Sequence, residues 1–271
     1  MASLLATTLS DTQLAETWTA LRRSGRTALI PYLTAGHPDR AASLEALHRA
    51  ADHADIIEVG VAFSDPLADG PTIQRSTFEA LQGGMTVART LALIAEAQLD
   101  VPVVVFSYLN PVLRYGIDRF VRDAAEIGVA GLLLTDLPAG NDPATEAVVR
   151  QSPLSLIRLV APTSTGPRLA DVVRDAEGFL YLVARLGVTG ASQTLASGIE
   201  GYIARVRAVS PLPLAVGFGI STPEQARAVA HLADGVVVGS ALVECLTREG
   251  PVGAGRFLAS LRAALDSGAG G

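Results

Sequence analysis

Short runs of apolar, largely β-branched residues alternate with amphipathic stretches from one end of the chain to the other. Eight runs read as strands: residues 27–33, 54–61, 101–107, 129–135, 154–160, 178–184, 212–218 and 235–239. Several are almost wholly apolar, as parallel strands covered on both faces must be. The intervening segments carry helix signals. Leu44, Leu47 and Ala51 repeat at helical spacing after Asp39. Phe120, Ala124 and Ile127 form a stripe behind Asp118 as cap, with Gly128 as stop. Thr222 and Pro223 pair a cap with a first-turn proline. Trp18 and Leu21 predict an extra helix within about residues 1–25, and the glycine-rich end, 265–271, reads as a frayed tail.

Eight βα units in order, with no linker and no break in composition, predict the α/β class. The specific expectation is one TIM-barrel domain, (β/α)8, over residues 1–271, with the extra N-terminal helix. Such barrels run to about 250 residues as one unit and carry function at the carboxyl ends of their strands.

Composition narrows the chemistry. The net charge of −6 and pI of 5.2 argue against nucleic acid and against an anionic membrane surface as partners. No apolar run reaches the roughly 20 residues of a membrane span, and the start lacks a signal-peptide pattern, so a cytoplasmic protein is expected. The single cysteine, Cys245, has no partner for an internal disulfide. All 21 basic residues counted as Lys+Arg are arginine, which removes Schiff-base chemistry because that requires a lysine amine. The four histidines show no metal-binding spacing, so neither a metal nor an organic cofactor is expected.

Polar residues collect at the predicted strand ends. Glu58 interrupts the second apolar run and is either an ion-paired structural residue or a group with a displaced pKa. The loop that follows, 62–71, holds Asp65, Asp69 and two prolines, which as a pattern could be turn chemistry alone. Leaving the top of a barrel strand, it can bring Asp69 and Glu58 into one pocket with separated pKa values. Glycines at 187–190, 217–219 and 239 follow the last three strands; they either serve tight turns or let backbone N–H groups approach a phosphate. Residues 185–198 make an unusually long βα loop, a lid or a plain insertion. Tyr181, on the strand before it, faces the interior or simply packs the core.

The stretch from Glu58 to Gln74, Glu-Val-Gly-Val-Ala-Phe-Ser-Asp-Pro-Leu-Ala-Asp-Gly-Pro-Thr-Ile-Gln, resembles the signature of tryptophan synthase alpha chains. The resemblance continues at residues 30–36, 108–112, 187–190, 217–221 and 238–240, in the family's order. It implies Glu58 as the acid/base group, Asp69 as the partner of an indole nitrogen and Tyr181 beside the glutamate. Tyr32, Ile73, Thr189, Gly190, Phe218, Gly219, Gly239 and Ser240 match substrate-binding positions, the glycines and Ser240 at the phosphate. Ala62, Asp65, Tyr108, Asn110 and Pro111 match loops facing a beta subunit, implying an alpha2-beta2 complex. Three positions depart from the family pattern: Ala62 where proline is usual, Tyr32 where phenylalanine is common, and His37 where aspartate is frequent.

The implied reaction is retro-aldol cleavage of indole-3-glycerol phosphate to indole and glyceraldehyde 3-phosphate, with indole passed to the beta subunit. Rivals are other phosphate-binding barrels, including the synthase that makes indole-3-glycerol phosphate, whose lysine-based chemistry this chain lacks, and a silent protein that only activates a beta chain. A stand-alone indole-releasing lyase is a further alternative.

Overall fold

The computed structural model describes residues 13–164, 166–183, 198–217 and 219–267. Eight parallel strands close into a barrel in chain order: β1 (Ala28–Thr34), β2 (Ile57–Gly60), β3 (Val103–Ser107), β4 (Val129–Leu134), β5 (Ser155–Val160), β6 (Leu180–Val183), β7 (Leu214–Gly217) and β8 (Gly235–Val238). Each falls on one of the eight expected runs. β1 extends one residue past its expected end, and most of the others are trimmed at their starts. Around them lie α1 (Gln13–Ser24), α2 (Arg40–Ala51), α3 (Pro71–Gln82), α4 (Val87–Ala97), α5 (Leu109–Tyr115), α6 (Ile117–Glu126), α7 (Pro143–Arg150), α8 (Gly166–Arg174), α9 (Ile199–Arg207), α10 (Pro223–Ala230) and α11 (Ser240–Ser267). None of the described helices is long and apolar enough to cross a membrane.

Strand alternation divides the apolar residues into two shells. Outward-facing Ile57 and Val59 join the large cluster between barrel and helices. Inward-facing Ile30, Ile56, Val104, Leu133, Ile157, Phe179 and Val237 fill the barrel. Glu58 follows Ile56 by two, so the same alternation turns it inward.

Local chemistry sets the helix ends. Asp39 accepts from the Ala42 N–H at 2.9 Å, Thr86 from Arg89 at 3.2 Å and Thr222 from Gln225 at 3.3 Å. Asp118, expected as a cap, instead lies in the first turn of α6, where its charge complements the helix dipole; Gly116 occupies the cap position. Gly128, at φ +79°, ends that helix as expected. The frayed-tail expectation was too long: helix continues to Ser267. α11 is itself interrupted at Gly250 (φ +69°), just before Pro251.

The expected N-terminal helix closes the base of the barrel. Leu14, Trp18 and Leu21 of α1 are buried among the interior residues, and the Trp18 ring meets Phe179 at 5.6 Å between centroids. Gly235 makes room for this plug, because a Cβ there would stand 2.9 Å from the indole of Trp18. Trp18→Ala should lower unfolding free energy by about 3–5 kcal/mol, the usual loss for a large buried aromatic. Urea titration checks this, and an unchanged midpoint would mean that α1 contributes little to the core.

Candidate active site

The carboxyl ends of the strands carry the polar residues. Glu58 is fully buried, and neither of its carboxyl oxygens meets a hydrogen-bond partner among the described residues. Burial alone pushes its pKa up from 4.5 to about 8, because the apolar surroundings penalise the charged form. At neutral pH Glu58 is therefore a neutral acid with a proton to give.

Rings shield it. Tyr32 on β1 pairs with Glu58 across the β1–β2 ladder. Phe106 on β3 meets the Tyr32 ring edge-on at 5.3 Å and the Tyr181 ring at 6.3 Å. Both tyrosines are buried, and burial comes first among the causes that raise their pKa, ahead of the nearby acidic groups; Tyr181 feels Glu58, Tyr32 and Asp69. They fit because two neighbouring strands end in glycine. A Cβ on Gly60 would fall 2.1 Å from the Tyr32 hydroxyl, and one on Gly217 would fall 2.2 Å from the Tyr181 hydroxyl.

Asp69 comes from the β2–α3 loop, which is tied down by its own contacts. Gln74 Nε2 donates to the Asp69 carbonyl at 2.9 Å, and the Asp69 N–H donates to the Pro66 carbonyl at 3.1 Å. The Tyr108 hydroxyl accepts from the Ala68 N–H at 2.9 Å and donates to Asp69 Oδ2 at 3.1 Å. Asp69 is only half-buried. Desolvation raises its pKa to about 6 against the lowering effect of Tyr108. Two carboxyl groups thus titrate about two units apart, and between pH 6 and 8 the dominant form is neutral Glu58 with ionised Asp69.

Other expected site residues fall into three groups. Ile73 packs with Tyr32, Val243 and Phe106 in one wall of the site. Gly239 is half-buried and Ser240 opens α11, so backbone N–H groups are available there for an anion. Gly219 is exposed at φ +98° but lies four residues before α10, in a turn rather than at a helix start. Thr189, Gly190 and Phe218, together with most of the expected lid loop 185–198, lie outside the described residues.

The loops expected to face a partner divide differently. Asp65 and Asn110 are exposed and Pro111 is partly so. Ala62 (6% exposed) and Tyr108 (5%) are buried and cannot offer side chains to a partner in this conformation. Ala62 belongs to the packing between barrel and helices, and Tyr108 positions Asp69. The sequence reading missed this role, and it missed Phe106, although strand alternation places Phe106 on the same face as Val104. It also missed Leu67, an apolar side chain 91% exposed at the loop tip. His37, the third departure, is structural. Its Nε2 lies 2.9 Å from the Thr247 hydroxyl and its Nδ1 3.1 Å from Glu79 Oε2, joining the β1–α2 loop to α11 and α3.

The buried carboxyl group has a measurable cost. The native state retains the Glu58 proton up to about pH 8, whereas an unfolded chain releases it near 4.5, so native stability falls as pH rises across that interval. Glu58→Gln should therefore be increasingly more stable than the wild type between pH 5 and 9, with a gap on the order of a few kcal/mol at the alkaline end. Paired thermal melts across pH measure that gap, and a constant gap would show that Glu58 is ionised throughout.

Comparison with known proteins points the same way. The family model for the tryptophan synthase alpha chain matches residues 18–257. A tryptophan synthase alpha chain from Burkholderia multivorans is 45% identical over 94% of this chain and 97% of its own. One from Gluconobacter oxydans is 45% identical over 84% and 86%. Among solved structures, a Mycobacterium tuberculosis tryptophan synthase superposes with a TM-score of 0.86 at 42% identity, covering 94% of this chain and 98% of that one. The alpha subunit from Legionella pneumophila gives 0.87 at 33%, covering 94% and 99%. A closed barrel with a buried glutamate on β2 that has no hydrogen-bond partner among the described residues, and a family match over most of its length, make this chain a member of the tryptophan synthase alpha chain family.

Proposed function

We propose that the chain, acting as a single domain, cleaves indole-3-glycerol phosphate to indole and glyceraldehyde 3-phosphate. The observation that carries this reading is the opposed protonation of Glu58 and Asp69 at neutral pH. Retro-aldol cleavage needs an electron sink, and a chain without lysine cannot make an imine. The indole ring supplies the sink. Neutral Glu58 protonates ring carbon C3, giving an indolenine cation. Tyr108 occupies Oδ2 of Asp69, leaving Oδ1 to accept the indole N–H and balance the positive charge. Glu58, now a carboxylate, takes the proton from the hydroxyl on the carbon attached to C3. That carbon becomes the aldehyde, the C–C bond breaks, and its electrons restore the aromatic ring. Tyr181 stands beside the glutamate and limits water. Ser240 and the glycines at 219 and 239 hold the phosphate on backbone N–H groups.

Family membership brings a beta-subunit partner, and an alpha2-beta2 assembly in the cytoplasm is the arrangement we infer. Asp65 and Asn110 lie on the loops toward it, with exposed Leu67 and Leu113 supplying apolar surface.

Glu58→Gln should lower turnover by about 100-fold or more with substrate binding retained, since it removes the proton donor and keeps the shape. Asp69→Asn should be similarly impaired. The wild-type kcat/KM profile should be bell-shaped with limbs near pH 6 and 8. Steady-state assays on indole-3-glycerol phosphate decide this, and near-normal cleavage by either variant overturns the mechanism. With the cognate beta chain, gel filtration should show a complex and the cleavage rate should rise. High activity alone, with no complex, marks a stand-alone lyase.

A further inference from the structure

The substrate named above has a ring at one end, a phosphate at the other and two hydroxyl groups between them. Resting on that reading, we propose that the Tyr32 hydroxyl donates a hydrogen bond to a hydroxyl of the glycerol chain, and so makes the site select a hydroxylated linker over an alkyl one.

Strand order places Tyr32 under the linker. β8, β1 and β2 are consecutive around the barrel. Asp69, at the ring end, follows β2, while Gly239 and Ser240, at the phosphate end, follow β8. A molecule joining the two must cross β1, and Tyr32 is the β1 residue that faces the site there. It pairs with Glu58 on one side. On the other, a Cβ on Gly239 would lie 3.7 Å from the Tyr32 Cβ. Its hydroxyl rests over Gly60, two residues nearer the mouth than Glu58.

Proton counting leaves that hydroxyl with a hydrogen to give. The Ser76 hydroxyl donates to the Ile73 carbonyl at 2.8 Å. Ser76 and Thr34 hydroxyls lie 2.8 Å apart, and with the Ser76 proton engaged, Thr34 is the donor of that bond. Thr34 then has no proton left for Tyr32, whose hydroxyl lies 3.4 Å away, too far for a strong bond in either direction. Burial raises the Tyr32 pKa, so the group stays protonated. A buried phenol with one long contact is an incompletely satisfied donor, and such donors favour a ligand that completes them. By the same logic, a site built to bond a hydroxyl discriminates against the analogue without it.

Tyr32→Phe keeps the ring against Phe106 and removes only the oxygen. The probes are indole-3-glycerol phosphate and indole-3-propyl phosphate, in which both linker hydroxyls are replaced by hydrogen. We expect kcat/KM for the glycerol substrate to fall about three- to tenfold, with the Kd of the propyl phosphate unchanged or tighter. Equal weakening toward both ligands would mean a packing role, and no loss toward the glycerol substrate would mean an idle hydroxyl; either overturns the proposal. If the wild type binds the glycerol substrate without cleaving it, Kd replaces kcat/KM. The cleavage reading then fails, while a Tyr32-dependent preference for the hydroxylated ligand still supports this one.

Discussion

A carboxyl group buried without a partner among the described residues is the constraint on which the mouth of this barrel is organised. Glu58 occupies an inward position of an apolar strand, where a charge is poorly solvated, so the fold holds it as the neutral acid. Keeping it so requires that no arginine approach, in a chain with 21 of them. The buried arginines among the described residues are matched elsewhere. Arg158 binds Glu146 at 2.7 Å, and Arg262 binds Asp55 at 2.9 Å near the base. Three aromatic rings then close over Glu58 in place of water.

The polar scaffold around the mouth braces the loops from within. Arg158 donates to the Leu137 carbonyl at 3.0 Å, and Glu146 accepts from the Gly140 N–H at 2.9 Å, fixing the β4–α7 loop. That loop presents Asp136, which accepts from the Leu109 N–H at 2.6 Å at the start of α5. The preceding residue is Tyr108, whose hydroxyl holds Asp69. A buried ion pair is a weak source of net stability, but removing one partner strands the other. Its value here is geometric: a chain of polar contacts leads from β5 to the second carboxylate.

The fold was legible in the chain because its period is simple. Parallel strands covered on both faces read as uninterrupted apolar runs, and all eight were visible. Glu58 stood out as the charge inside such a run. Tertiary features were harder. The family resemblance placed Tyr108 on a loop facing a partner, and only the folded loop shows its hydroxyl reaching back to Asp69. Asp118 looked like a cap because aspartate favours that position, yet Gly116, at φ +94°, caps the helix two residues earlier than the pattern suggested. Phe106 carried a readable signal in its alternation with Val104, but nothing local distinguishes a ring lining a site from one filling a core. Gly219 matched a phosphate motif, and it sits in the loop between β7 and the expected cap at Thr222.

The two tyrosine–glycine pairs at the mouth, Tyr32 over Gly60 and Tyr181 over Gly217, constrain how such a site can evolve. Because the rings sit within 3 Å of where a Cβ would be, alanine at either glycine is barred while its tyrosine remains. Phenylalanine in place of Tyr32 does not lift the bar, since ring carbons as well as the oxygen would collide at Gly60. A lineage could acquire a side chain at Gly60 only after position 32 had become smaller, so the order of the substitutions matters and their effects are not additive. Each pair should therefore drift as a unit, leaving correlated changes between β1 and β2 and between β6 and β7.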